Sequence, residues 1–352
     1  MKRSKSLDVF KLAAAFGVIL IHLSGYGMKE FPLDSTSFMG CLFFNALGRF
    51  CVPAFLMVTG RLLLSSKKEI GPEKAIKSYA IPTLIILLFW GFVYAVFLNF
   101  GMTVLDGEKI SLNLLFSSLA DTFLFKHAGH LYYLLIIILV YLFLPALKAF
   151  ISNASEEILK LTFYLWLIFA IIYPVLLLFK PFSLLGGWAR ACALYMPYSC
   201  IGYVFAGWYL STKKSAYRKE AYLGVFALGV LVMMMGTYAF SKLMGELYMG
   251  FLEGAQLGSY LAAFGLYRYL ELKFGDETSG ALLTKLSDAG LTIYLVHYFI
   301  TLILRAKGPD IHKISPFILI PLEAVFVYVL SYLIYQILKR IELFNKYLIR
   351  RG

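Results

Sequence analysis

Ten apolar stretches recur along the chain, at about 7–26, 40–64, 78–100, 130–150, 158–179, 189–211, 219–241, 249–271, 286–305 and 315–338. Each is close to the ~20 residues that a helix needs to cross the hydrocarbon of a bilayer. Unpaired backbone groups cannot face lipid, so the pattern predicts helices throughout. Some are open to being re-entrant or broken. Pro53, Pro82, Pro174 and Pro197 lie inside or near the stretches, where kinks are expected. The longest piece between stretches is 101–129, and 112–125 within it reads as a short interfacial helix. The expected fold is all-α: a polytopic transmembrane helical bundle of about ten spans, forming a single domain over residues 1–352.

Composition points the same way. Apolar residues make up 61% of the 352 and charged residues 15%. A soluble domain runs about 45–50% apolar and about 25% charged, so a soluble enzyme is excluded. Lys and Arg exceed Asp and Glu by 13, which on a soluble protein would raise nucleic acid. Here the basic residues mark topology instead. With the N-terminus inside, 21 of the 33 fall in inner segments and 9 in outer ones, while Lys11, Arg49 and Arg61 lie within spans. The excess predicts that both termini are cytoplasmic. No basic face is left over to follow a phosphate backbone, so no nucleic-acid partner is expected. Residues 1–5 and the apolar run after them are similar to a secretory signal. Lys11 and His22 interrupt that run, however, and an uncleaved first helix is expected. Cys41, Cys51, Cys192 and Cys200 lack metal-ligand spacing or a disulfide framework and read as small buried hydrophobes.

An ionisable side chain inside a span costs roughly 2.5–3.5 kcal/mol at the centre on insertion scales, and is a functional candidate by default. Lys11, His22, Arg49, Arg61, Glu253, Asp288, His297 and Glu323 qualify. Eleven residues separate Lys11 from His22. At 100° per residue that is about 20° net, so both lie on one helix face about 16 Å apart. Plainer roles stand beside the functional ones. Lys11 and Arg61 could each snorkel to the inner interface. Arg49 could pair with Glu253 or Glu323, and His22 could be a satisfied buried imidazole. Two intramembrane histidines in the outer halves of their spans weaken that last reading. Walker-type phosphate loops, His-Glu-x-x-His and Gly-x-Ser-x-Gly are absent.

Four islands of sequence carry a resemblance to a known family. The first is Leu7-Asp8-Val9-Phe10-Lys11 followed by ten residues and His22. The second runs from Gly48-Arg49 through Val52-Pro53 to Thr59-Gly60. The third is His130-Leu131-Tyr132-Tyr133, with Tyr141 and Pro145 after it. The fourth is Leu286-Ser287, then Gly290-Leu291-Thr292-Ile293-Tyr294-Leu295-Val296-His297. In this order, over ten spans, they resemble the acyltransferase 3 family of integral membrane acyltransferases, in particular the branch that O-acetylates bacterial surface polysaccharide. There are departures: Lys11 stands where the family has Arg, Tyr132 replaces Trp, and Lys74-Ala-Ile-Lys77 matches the family's Arg-x-x-Arg only loosely.

The resemblance implies transfer of an acyl group, usually acetyl, from cytoplasmic acyl-CoA to a hydroxyl of a glycan or lipid-linked sugar. It also implies a multi-pass protein of the bacterial inner membrane, in contact with membrane lipid. The residues suit such a reaction. A thioester donor needs a base, positive charge for the CoA phosphates and donors for the oxyanion, but no metal. His22 is the expected base. Arg49 and Tyr294 would orient the carbonyl or the acceptor, and His297 would brace Tyr294 or shape the acceptor pocket. Lys11, Arg61, Lys74 and Lys77 would meet the acetyl-CoA donor, and His130 and Glu253 the acceptor. Self-association into a homo-oligomer is left open. The rival reading is a secondary transporter or flippase, which intramembrane charges and kinked helices suit equally well.

Overall fold

Lys5–Glu30 form the first helix, α1, with Asp8 in its opening turn and Lys29 in its last, as the helix dipole favours. It belongs to a computed structural model that describes residues 3–105, 113–126, 129–179, 196–254 and 256–349. The described residues are 82% helical. Among the described residues no strand forms, and only Ser4 and Thr278 make an isolated bridge. Every predicted stretch holds helix. By length and apolarity alone, seven helices among the described residues could cross a membrane, or eight if one bent pair is counted. Residues 189–195 of the sixth stretch, and Cys192 with them, lie outside the described residues.

The chain divides into two compact units. The larger comprises Met1–Lys67, Ile151–Gln336 and Arg351–Gly352. After α1 come α2 (Thr36–Gly48) and α3 (Cys51–Leu64). They fill the single stretch predicted over 40–64, and Pro53 explains why it is broken. Proline has no N–H for the carbonyl four residues back and its ring crowds that carbonyl, here that of Arg49. Arg49 thus sits at a helix end. Gly48 crosses α1 at Gly17 so closely that a Cβ on Gly48 would collide with the Gly17 carbonyl. Only glycine permits that approach of two backbones. Of the most apolar window of α1, 61% is buried, against 22% in Lys219–Met244, so α1 is central and the latter peripheral.

Two further glycine-lined helices, Lys219–Met244 and Leu257–Phe274, pack against each other in this unit. The last span is Pro316–Leu338. Before it, Ala281–Asp288 and Gly290–Lys307 meet at a 56° bend. We label that pair α4 and α5.

The smaller unit comprises Lys68–Phe150 and Ile337–Arg350. A π-helical stretch, Ala75–Ala80, precedes Pro82, just as Leu167–Ile172 precedes Pro174 in the larger unit, so the expected proline distortions appear as π turns. The predicted interfacial helix is Asn113–Phe123. Its polar face turns inward: Asn99 Nδ2 donates to Ser118 Oγ at 3.0 Å and Asp121 Oδ2 at 3.2 Å. Leu115, Phe116, Leu119 and Phe123 are exposed, an inverted pattern that suits lipid rather than water.

Candidate active site

α1 directs its polar residues toward the bent pair α4–α5, at two levels. At its N-terminal end Asp8 is a buried node. Its carboxylate receives Arg3 Nε at 2.6 Å, Ser279 Oγ at 2.5 Å and Ser287 Oγ at 2.7 Å. Lys11 Nζ lies 3.3 Å from the same group. Arg3 also reaches Asp288 at 2.8 Å, so that intramembrane candidate is part of the node. Two backbone bonds, Lys5 N–H to Glu277 O and Ser279 N–H to Arg3 O, tie the same segments together.

Near its C-terminal end α1 presents His22, half-buried. The His22 ring lies 5.2 Å from that of His297 and 5.0 Å from that of Tyr298, centre to centre. His297 is fully buried. Its Nδ1 faces the carbonyls of Tyr294 at 2.7 Å and Ile293 at 3.1 Å. Two acceptors require a donor between them, so we assign the proton to Nδ1, which leaves the Nε2 lone pair to accept. The Tyr294 ring is 6.2 Å away.

The turn that carries His22 is clamped from two sides. From α2, Arg49 Nε donates to Asn45 Oδ1 at 2.8 Å. Asn45 Nδ2 in turn donates to the Ile21 carbonyl at 3.1 Å and to Ser24 Oγ at 3.0 Å. From α5, Arg305 Nη2 donates to the His22 carbonyl. The Arg305 guanidinium also rests over the Tyr26 ring, 5.2 Å from its centre. Both guanidinium groups are close enough to act on the charge of His22. His22, Arg49, Tyr294 and His297, far apart in sequence, are thus brought together.

The other predicted residues are placed differently. Arg61 donates to the Ser211 carbonyl at 3.3 Å and lines a cavity of about 420 Å³ with Arg3, Tyr267 and Glu271. Glu253 falls ahead of its predicted helix, which begins only at Leu257. It occupies an exposed bend and forms no ion pair among the described residues, so the Arg49–Glu253 pairing is not made. Glu323 makes none with Arg49 either. Lys74, Lys77 and His130 belong to the smaller unit. Lys77 pairs with Glu73 at 2.8 Å on the surface, and Lys74 donates to the Glu69 carbonyl at 3.2 Å. His130 is buried, 4.9 Å from the Tyr94 ring and edge-on to it. Among the described residues no group of three or more His, Cys, Asp or Glu is arranged to hold a metal ion.

Sequence reasoning missed Arg305, Tyr298 and Asn45. Arg305 follows His297 by eight residues, about 12 Å along the helix. It falls at the end of an apolar stretch, where it reads as a loop cation. Only its contact with α1 gives it a role.

An all-helical membrane chain that gathers two imidazoles and two guanidinium groups within its apolar helices carries the side chains of a membrane-embedded group-transfer enzyme. A family model described as an acyltransferase domain matches residues 4–336. The chain belongs to the acyltransferase 3 family and is a membrane acyltransferase. Comparison with curated proteins and with solved structures finds no match.

Proposed function

We propose that this protein transfers an acetyl or similar acyl group from cytoplasmic acyl-CoA to a hydroxyl of a cell-surface glycan or related envelope acceptor, at the bacterial inner membrane, with both of its termini in the cytoplasm. The observation that carries the reading is the close approach of His22 and His297 inside the membrane domain, within electrostatic reach of Arg49 and Arg305. His22 takes the proton of the acceptor hydroxyl, and the oxygen attacks the thioester carbonyl. The tetrahedral intermediate collapses, the C–S bond breaks, and the proton passes to the CoA thiolate. Ester and CoA leave. Arg49 and Tyr294 orient the carbonyl, and His297, fixed through Nδ1, keeps an accepting nitrogen beside the pair. Lys11 and Arg61 meet the donor at the other end of α1.

The test is release of free CoA from acetyl-CoA by the purified protein on addition of an acceptor. Loss of a general base costs about 10²–10⁴-fold. His22→Ala should therefore abolish transfer while acetyl-CoA still binds. Full activity in a folded His22→Ala protein overturns the mechanism. A transporter would instead move its substrate without consuming thioester.

A further inference from the structure

Beside the turn that carries His22 lies a cavity of about 250 Å³ between the ends of α1, α5 and Pro316–Leu338. A water molecule's share of the liquid is about 30 Å³, so the space suits one small ring rather than a long chain. Its walls are unusual for so apolar a protein, because Arg305, Glu323, Asp310 and His312 all line it, together with Tyr26. Glu323 is the only charged residue between Pro316 and Leu338, and it is half-buried. A charge is retained in such a helix only where it is paired or has work to do.

Arg305 and Glu323 act on one another electrostatically, yet no hydrogen bond or ion pair joins them directly. The Nε of Arg305 is buried and makes no hydrogen bond in the structure. A donor-only guanidinium and an acceptor-only carboxylate therefore line one cavity without bonding to each other. A hydroxyl both donates and accepts, so a ligand with neighbouring hydroxyls satisfies both. Asp310 adds a second carboxylate at the rim. The His312 amide donates to it at 2.9 Å and holds its carboxyl below the usual range, so it stays ionised. An anionic ligand would meet Glu323 and Asp310, and a cationic one Arg305. A neutral polyol meets no like charge. The Tyr26 ring, one face of which Arg305 covers, adds apolar surface to the wall.

We propose that this cavity binds one neutral sugar ring, and that Glu323 and Arg305, bridged by its hydroxyls, hold the acceptor beside His22. The assignment to an acceptor rests on the acyl-transfer reading; the binding of a neutral sugar does not. Leu23, the residue after His22, lines the cavity, and Arg305 reaches both the cavity and the His22 carbonyl. The occupant and the base are thereby set by the same turn.

The experiment uses the full-length protein in detergent. Saturation-transfer NMR measures binding of glucose, galactose, mannose and N-acetylglucosamine, with glucuronate, glucosamine and inorganic phosphate as charged counterparts. At least one neutral sugar should bind more tightly than every charged probe. Glu323→Gln should weaken that sugar tenfold or more, while calorimetry finds acetyl-CoA affinity unchanged. Asp310→Asn, on the rim and outside the helices, provides a second variant that folds independently of the buried carboxylate, and should weaken the same sugar severalfold. Phosphate or glucuronate binding more tightly, no neutral sugar binding, or equal sugar affinity in both variants would overturn the proposal. If sugar binding behaves as expected but no thioester is consumed, the cavity assignment stands and the acyl-transfer reading fails. If thioester is consumed while sugar affinity is unaltered in both variants, acyl transfer stands and the cavity assignment fails.

Discussion

Asp8→Ala removes the acceptor on which four side chains converge. Asp8 is 2% exposed, and Ser287, which donates to it, is buried at 4%. Removing one partner of a buried ion pair costs about 3–5 kcal/mol, because the remaining charge is stranded. Two features reduce that figure here. The Arg3 side chain is 33% exposed and that of Lys11 17%, so water recovers part of their charge. Against this, two serine hydroxyls also lose a charged acceptor, at about 1.5–3 kcal/mol for each such hydrogen bond where no water replaces it. The expected loss is about 3–5 kcal/mol, larger than for Ser287→Ala or Lys11→Met alone. Unfolding in detergent with increasing urea or SDS measures it. A double-mutant cycle of Asp8→Ala with Ser287→Ala should give a coupling of about 0.5–3 kcal/mol, as expected of residues in one network. A loss below that of Ser287→Ala, or no coupling, would refute the view that Asp8 anchors α1 to α4.

Three other outcomes follow from the same geometry. Lys11→Met should weaken acetyl-CoA by about 1.5–3 kcal/mol, with Lys11→Arg retaining most of the affinity; equal affinities in calorimetry would leave Lys11 as a partner of Asp8 alone. Gly48→Ala should cost about 1–3 kcal/mol through collision with the Gly17 backbone, and transfer activity should fall with it because Arg49 is the next residue; wild-type stability in thermal unfolding would contradict the close crossing. Cysteines placed in 213–219 should be labelled only by membrane-permeant reagents, and labelling from outside would reverse the predicted orientation.

Hydrophobic length alone decided that this chain is helical and belongs in a membrane. Each apolar stretch must form its hydrogen bonds internally, whatever its neighbours are. Family membership was legible too, because its motif residues fall in short runs of sequence, as from Asp8 to His22 within α1. Local chemistry even marked where helices would distort, at Pro53, Pro82 and Pro174. What periodicity could not supply was which helix faces which. His22 and His297 are 275 residues apart, and their 5.2 Å approach depends on α1 lying along α5. Arg305 read as a loop cation until that packing set it against the His22 carbonyl. Glu253 read as intramembrane because the stretch around it is apolar, yet the helix starts four residues later and leaves it exposed. Asp8 read as part of a motif, and only the packing of α1 against residues 277–288 brings Ser279 and Ser287 to its carboxylate. Burial of an apolar face is a property of one segment, whereas a polar site needs partners from several, and their positions are set by packing that no single segment encodes.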